Sequence, residues 1–99
     1  MRQILVRYKV KPEHAVENQR LLEAVFAELK AKAPPGTRYL VLKMPDESYV
    51  HFAMAEEGMP AFTGYESFKT YTADAKSRLA EGPVQVEATI IGNYRMLPE

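Results

Sequence analysis

What most constrains this chain is the order in which its apolar residues change period. Residues 3–10 alternate, with Ile4, Val6, Tyr8 and Val10 on one side and Leu5, Arg7 and Lys9 on the other, the signature of a strand. From Pro12 to Lys32 the spacing becomes helical: Ala15, Leu22, Val25, Phe26 and Leu29 form a stripe that continues to Ala33. Pro12 suits a first helical position, where its missing N–H costs nothing, and Glu13 and Glu17 suit the positive end of the helix. Pro34-Pro35-Gly36 stops it. Two further alternating runs, 37–44 and 48–55, flank the tight connection Pro45-Asp46-Glu47 and read as a hairpin. A loop over 56–64 leads into a second helical stripe from Tyr65 to Leu79, carried by Phe68, Thr72, Ala75 and Leu79. Gly82-Pro83 is expected to end that helix. Residues 84–96 read as a last strand, with Gly92 marking a bulge or bend.

Strand, helix, hairpin, helix, strand is the ferredoxin-like βαββαβ order, an α+β fold with an antiparallel sheet. Ninety-nine residues suit one domain, 1–99, with a modest core. A formal net charge of zero gives no attraction for a nucleic-acid backbone or an anionic membrane. No apolar run reaches the length of a membrane span, and Arg7 and Lys9 interrupt the first one before a signal-peptide core forms. The expectation is a cytoplasmic protein with no nucleic-acid or membrane partner. The absence of cysteine rules out disulfides and thiolate chemistry. Two distant histidines give no metal-ligand cluster, and no glycine loop suits a phosphate, so the chain is expected to work without a metal or cofactor.

Sorting the strands by apolarity predicts which face meets the helices: Ile4, Val6, Tyr8, Leu40, Leu42, Val50, Phe52, Met54, Val84, Val86, Ala88 and Ile90. The other face then carries Leu5, Arg7, Lys9, Tyr39, Val41, Lys43, Tyr49, His51, Ala53, Glu87, Thr89 and Ile91. Tyrosines and aliphatics among charges suit a surface that meets a second copy of itself, with Arg7 or Lys9 facing Glu87 across a two-fold axis. The expected partner is therefore the chain itself, as a homodimer.

Particular residues carry a family resemblance. Lys11-Pro12-Glu13, Glu17-Asn18-Gln19-Arg20-Leu21-Leu22 and Pro35-Gly36-Thr37-Arg38-Tyr39 open the pattern. Tyr49-Val50-His51, Ser67-Phe68-Lys69, Arg78 and Ile91-Gly92-Asn93-Tyr94-Arg95 complete it. Over essentially its whole length the chain resembles a bacterial branch of the antibiotic biosynthesis monooxygenase-like (ABM) family. The resemblance implies a dimeric α+β barrel, with a small-molecule cavity between each sheet and its helices. It also implies a function among cofactor-free oxygenases of quinols and anthrones, haem-degrading oxygenases, isomerases or proteins of no known reaction. Haem-degrading members share an Asn on the first strand and a Trp and His around the second helix. Here Arg7 or Tyr8 stands near the first position, Phe62 at the second and Thr72 at the third. The resemblance therefore points away from haem.

Within that frame His51, the only histidine inside a strand, is a candidate general base for a phenol or quinol; the competing reading is an interface histidine bonded to Arg7's neighbours or to a tyrosine. His14, in the first helical turn, reads as a solvated surface residue. Asn18 sits on the apolar stripe of the first helix, so it must find a partner, either a loop carbonyl or a ligand oxygen that it stabilises as a donor. Tyr8, Tyr65 and Tyr71 are candidates to line the cavity and orient an aromatic ligand, with Phe52, Phe62 and Phe68 as apolar lining; core packing accounts for each equally. Met44, Met54, Met59 and Met96 suit an adaptable pocket or simple gap filling. Arg78 suits a carboxylate ligand or a helix C-terminus. The chain reads as a cofactor-independent monooxygenase of a small aromatic or quinol-type substrate, the alternative being a non-catalytic binding or housekeeping module of the same fold.

Overall fold

The computed structural model describes residues 2–56 and 60–98; Met59 lies outside them. The strands are β1 Arg2–Val10, β2 Arg38–Lys43, β3 Ser48–Ala55 and β4 Leu79–Glu87, and the helices are α1 Ala15–Lys32, α2 Glu66–Ala73 and α3 Ala75–Arg78. Short 3-10 turns at Pro12–His14 and Ala61–Gly64 lead into α1 and α2. The sheet runs β2-β3-β1-β4 with every neighbouring pair antiparallel. This is the ferredoxin-like order that the periodicity implies.

Proline at the head of the Pro12–His14 turn starts the first helical segment, and Ala33 ends α1 in the left-handed conformation (φ 44°), its N–H bonding the Leu29 carbonyl. The buried face of α1 carries Asn18, Leu21, Leu22 and Val25. These pack with Tyr8, Val10, Tyr49 and Tyr71 into the core between sheet and helices. The carboxylate of Glu28 accepts from the backbone N–H and hydroxyl of Ser67 and pairs with Lys32. It ties α1 to the first turn of α2, where a negative group is favoured.

The second helical segment is shorter than its stripe suggests. It breaks at Asp74, and the chain is extended from Leu79, because Leu79 pairs with Val10 and the Arg78 carbonyl accepts from the Lys11 N–H. Gly82-Pro83, expected to end a helix, lies within β4. A Cβ on Gly82 would come 2.9 Å from the Arg7 carbonyl oxygen, and φ there is +88°, so only glycine lets β4 pass so close to β1. β4 ends at Glu87 rather than near Met96, and residues 88–98, Gly92 included, lie outside the strands.

The predicted faces are correct for β1 and reversed for the other three strands. Ile4, Tyr8 and Val10 are buried towards the helices. Pairing of Val6 with His51 and Tyr8 with Tyr49, then of His51 with Val41 and Ala53 with Tyr39, puts Tyr39, Val41, Tyr49, His51 and Ala53 on that same face. Leu40, Leu42, Val50, Phe52, Val84 and Val86 share the opposite face with Leu5 and Arg7. There Leu40, Leu42, Val84 and Val86 are about half exposed. The reason is chemical: Tyr8, Tyr39, His51 and Tyr71 satisfy one another beneath the helices, which leaves the more aliphatic set on the opposite side. Glu87 bonds Arg2 of the same chain at 2.9 Å.

Candidate active site

A cavity of about 190 Å³ opens between the sheet and the helical layer. Its sheet wall includes Ile4, Val6, Tyr8, Tyr39, His51 and Ala53, and its helical wall includes Phe62, Phe68 and Tyr71, with Arg78 at the end of α3. Period 2 places Tyr8 and His51 on the same side of adjacent strands, and the approach of Ala61–Gly64 and α2 brings Phe62, Phe68 and Tyr71 over them. Tyr39 is clasped between Phe26 (ring centroids 4.9 Å) and Phe62 (4.2 Å), and Phe68 meets Phe62 edge-on at 5.4 Å. Such contacts fix ring orientation as well as burying area.

At the centre is a chain of hydrogen bonds. The Tyr39 hydroxyl lies 2.6 Å from His51 Nδ1, and the Tyr8 hydroxyl 2.7 Å from His51 Nε2. The Tyr71 hydroxyl donates to the Tyr8 oxygen at 2.6 Å, and the Asn18 amide donates to the same oxygen at 3.3 Å. A phenolic oxygen accepts two bonds and donates one. With Tyr71 and Asn18 filling both acceptor places, the Tyr8 proton goes to Nε2. Neutral His51 then carries its proton on Nδ1 and donates to Tyr39, whose own O–H is free to serve the cavity. Reversing every bond except the one from Asn18 also satisfies each group, and then Tyr71 holds the free O–H.

Burial pushes the His51 pKa down to about 4 and raises those of Tyr8, Tyr39 and Tyr71 above the ordinary phenol value. Removal from water disfavours the charged form of every member, so the chain is neutral at pH 7. Asn18 is fully buried behind Tyr8. Its carbonyl oxygen accepts from Arg78 Nε at 3.4 Å, and another Arg78 nitrogen donates to the Tyr71 carbonyl.

Of the residues singled out in the sequence, Tyr8, His51, Phe62, Phe68, Tyr71 and Arg78 line one cavity, and Asn18 bonds Tyr8 from behind it. His14, Met44, Met54 and Met96 are not in its wall, and neither are two of the aromatic candidates. Phe52 lies on the opposite face of the sheet, beside Leu5 and Leu40, because β3 has the reverse facing from the one apolarity suggests. Tyr65 stands at the start of α2 with Lys32 Nζ 4.3 Å from its ring centre, and is not part of the cavity wall. Apolarity alone places Tyr39 away from the cavity for the same reason that it places Phe52 there, whereas Tyr39 is the one that lines it. Its neighbour Ala53 and the alternation of β1, carried through the ladder, were the signals that could have found it. Among the described residues no group of three potential ligands could hold a metal ion, and no helix is long and apolar enough to cross a membrane.

No family model and no curated protein matches the chain. Solved structures do. A protein from Bacteroides thetaiotaomicron, provisionally named an antibiotic biosynthesis monooxygenase, superposes with a TM-score of 0.78 at 14% identity, covering 98% of this chain and 95% of its own. A protein from Nitrosomonas europaea with the same provisional name gives 0.74 at 14%, covering 91% and 89%. One from Caulobacter crescentus, also so named, gives 0.71 at 19%, covering 92% and 90%. At these identities the likeness is one of fold, and it extends over nearly the whole of each chain.

Proposed function

We propose that this protein is an ABM-like, cofactor-independent monooxygenase acting on a one- or two-ring phenol or quinol, and that it works as a homodimer. The observation that carries the reading is the neutral chain Tyr71–Tyr8–His51–Tyr39, both ends of which line an aromatic cavity. At about 190 Å³ the cavity lies below the ~300–1,000 Å³ usual for drug-sized ligands, which favours a small aromatic over a three-ring anthrone.

In such a reaction the substrate supplies all four electrons. Its hydroxyl loses a proton, the electron-rich anion reduces O₂, and one oxygen atom bonds to a ring carbon. The other leaves as water with two substrate hydrogens. His51 with a pKa near 4 is too weak a base to keep the substrate's proton, and an imidazolium there would lack a counterion. A relay avoids that cost. The Tyr71 oxygen takes the proton, Tyr71 passes its own to Tyr8, Tyr8 to Nε2, Nδ1 to Tyr39, and Tyr39 delivers one to the developing peroxide. Every side chain ends neutral. Asn18 orients Tyr8 throughout, and the phenylalanines limit water.

The dimer is supported by the uncovered face of the sheet. Leu5, Leu40, Leu42, Val50, Phe52, Val84 and Val86 form a contiguous apolar surface around Arg7, of a kind that marks an interaction site. A second copy laid on it closes a barrel.

The test is O₂ uptake with naphthalene-1,4-diol, simple benzenediols and the ring-carboxylated counterparts of both, without added metal or NAD(P)H. One O₂ should be consumed per substrate, faster than in buffer alone. His51→Phe, which breaks the relay, should lower the enzymatic rate by roughly 10²–10⁴-fold. Uptake no faster than the spontaneous rate across the panel would leave a binding protein rather than an oxygenase.

A further inference from the structure

Arg78 is only 2% exposed, and it lines the cavity. A guanidinium stays charged in proteins. Buried charges are ordinarily paired, because leaving one uncompensated is costly. Yet each group that Arg78 meets is neutral: Asn18 Oδ1 through Nε, the Tyr71 carbonyl through a terminal nitrogen, and the Tyr71 ring, 5.5 Å from the guanidinium carbon. Among the described residues, none of the ion pairs involves it and no Asp or Glu lines the cavity. Two neutral oxygens occupy part of a five-donor fork. The cavity wall thus holds a buried cation with donor capacity left over and no anion among the described residues.

We infer that the missing anion comes from the ligand: the cavity selects planar aromatics that carry one anionic oxygen group, a carboxylate or an acidic phenol ionised at neutral pH, seated against Arg78. The inference rests on reading this cavity as the substrate site and narrows its substrate class. Ring faces pack against Phe62, Phe68 and Tyr71 while the anionic oxygen meets the guanidinium. A neutral aromatic of the same shape buries the same area but leaves the cation unpaired. A cationic one adds repulsion. Arg78 also reaches the relay through Asn18, so an anion seated there places the ring beside Tyr71.

Binding to the intact protein at pH 7.5, followed by calorimetry without substrate turnover, tests this apart from any oxygenase activity. One arm compares 2-naphthoate with the isosteric 2-naphthamide, and a second compares 2,4-dinitrophenolate with 2,4-dinitroaniline. The two arms separate carboxylate from phenolate as the preferred anion. In at least one arm the anion should bind roughly 10–100-fold more tightly, the factor that ~1.5–3 kcal/mol for a hydrogen bond to a charged group supplies. Arg78→Gln should remove that preference while keeping affinity for the neutral ligand. Equal binding of anion and neutral analogue in both arms would overturn the inference using the wild-type protein alone, so it stands or falls even if Arg78→Gln does not fold. A preference that survives in a folded Arg78→Gln protein would overturn it too. O₂ uptake failing while the anion preference holds would remove the oxygenase reading and leave the inference standing.

Discussion

His51 is more than 90% removed from solvent, and both of its ring nitrogens lie against phenols, so its environment is built for the uncharged ring. The pH dependence of stability follows. Between about 4, its folded value, and ~6.5, its ordinary value, the unfolded chain binds a proton that the folded protein does not. Stability therefore rises with pH across that window, is complete above ~6.5, and is lost as pH falls towards 4. The full effect is on the order of 3 kcal/mol. In a His51→Gln variant the side-chain amide can accept from Tyr8 and donate to Tyr39 yet does not titrate. Urea unfolding at pH 7 and pH 5 should show the wild type losing roughly 1–2 kcal/mol more than His51→Gln over that interval. Equal losses would mean that His51 protonates as freely in the folded protein as in the unfolded chain.

At the scale of the elements, β1 and α1 were legible from the sequence because each has a single buried stripe. Ile4, Tyr8 and Val10 alternate cleanly, and Leu22 and Val25 mark the inner side of α1. β2, β3 and β4 were legible as strands but not as faces. Leu40, Leu42, Val50, Phe52, Val84 and Val86 are more apolar than the residues opposite them, and apolarity alone assigned them to the helices. What decides otherwise is pairing with β1: the register that sets Val6 against His51 and Leu5 against Phe52 carries the facing of β1 across the sheet, and a slip of one residue reverses it. The cavity inherits this limit. Tyr8, Phe62, Phe68 and Tyr71 could be found as aromatics near the helices, whereas Tyr39 required the ladder. The helix–strand boundary at Leu79 was likewise hidden, since the pairing that ends α3 is with Val10, far along the chain. One element end offers a direct test. Ala33 closes α1 at φ 44°, a region that costs an L-residue ~1–2 kcal/mol and glycine little. After allowing for the greater freedom of glycine in the unfolded chain, Ala33→Gly should raise stability by roughly 0.3–1 kcal/mol, measured by chemical denaturation. A loss of stability would mean that the α1 end does not hold this conformation in solution.

For the whole molecule, the sheet has a helix-covered side and an opposite side on which Leu40, Leu42, Val84 and Val86 are about half exposed. Sedimentation at micromolar concentration should give about twice the 11.2 kDa chain mass. Leu42→Asp or Val86→Asp should shift the protein towards monomer, because each residue is about half exposed on the free chain and a lone carboxylate in a seam is costly. A wild-type protein that sediments as a monomer would sink the barrel. Since the cavity lies on the other side of the sheet, ligand binding by a folded monomeric variant separates what the site needs from what the assembly needs.

The absence of tryptophan gives the cavity an optical consequence. Three of the six tyrosines, Tyr8, Tyr39 and Tyr71, have their hydroxyls in the one hydrogen-bonded chain around His51. Much of the near-ultraviolet absorption and emission of the protein therefore originates at the walls of its own cavity. A ligand that absorbs near 300 nm becomes an energy acceptor for those phenols on entering, so native fluorescence reads occupancy without a label. In an alkaline titration these three rings keep their phenol spectrum beyond the ordinary phenol range, so the late part of the phenolate band belongs to the site.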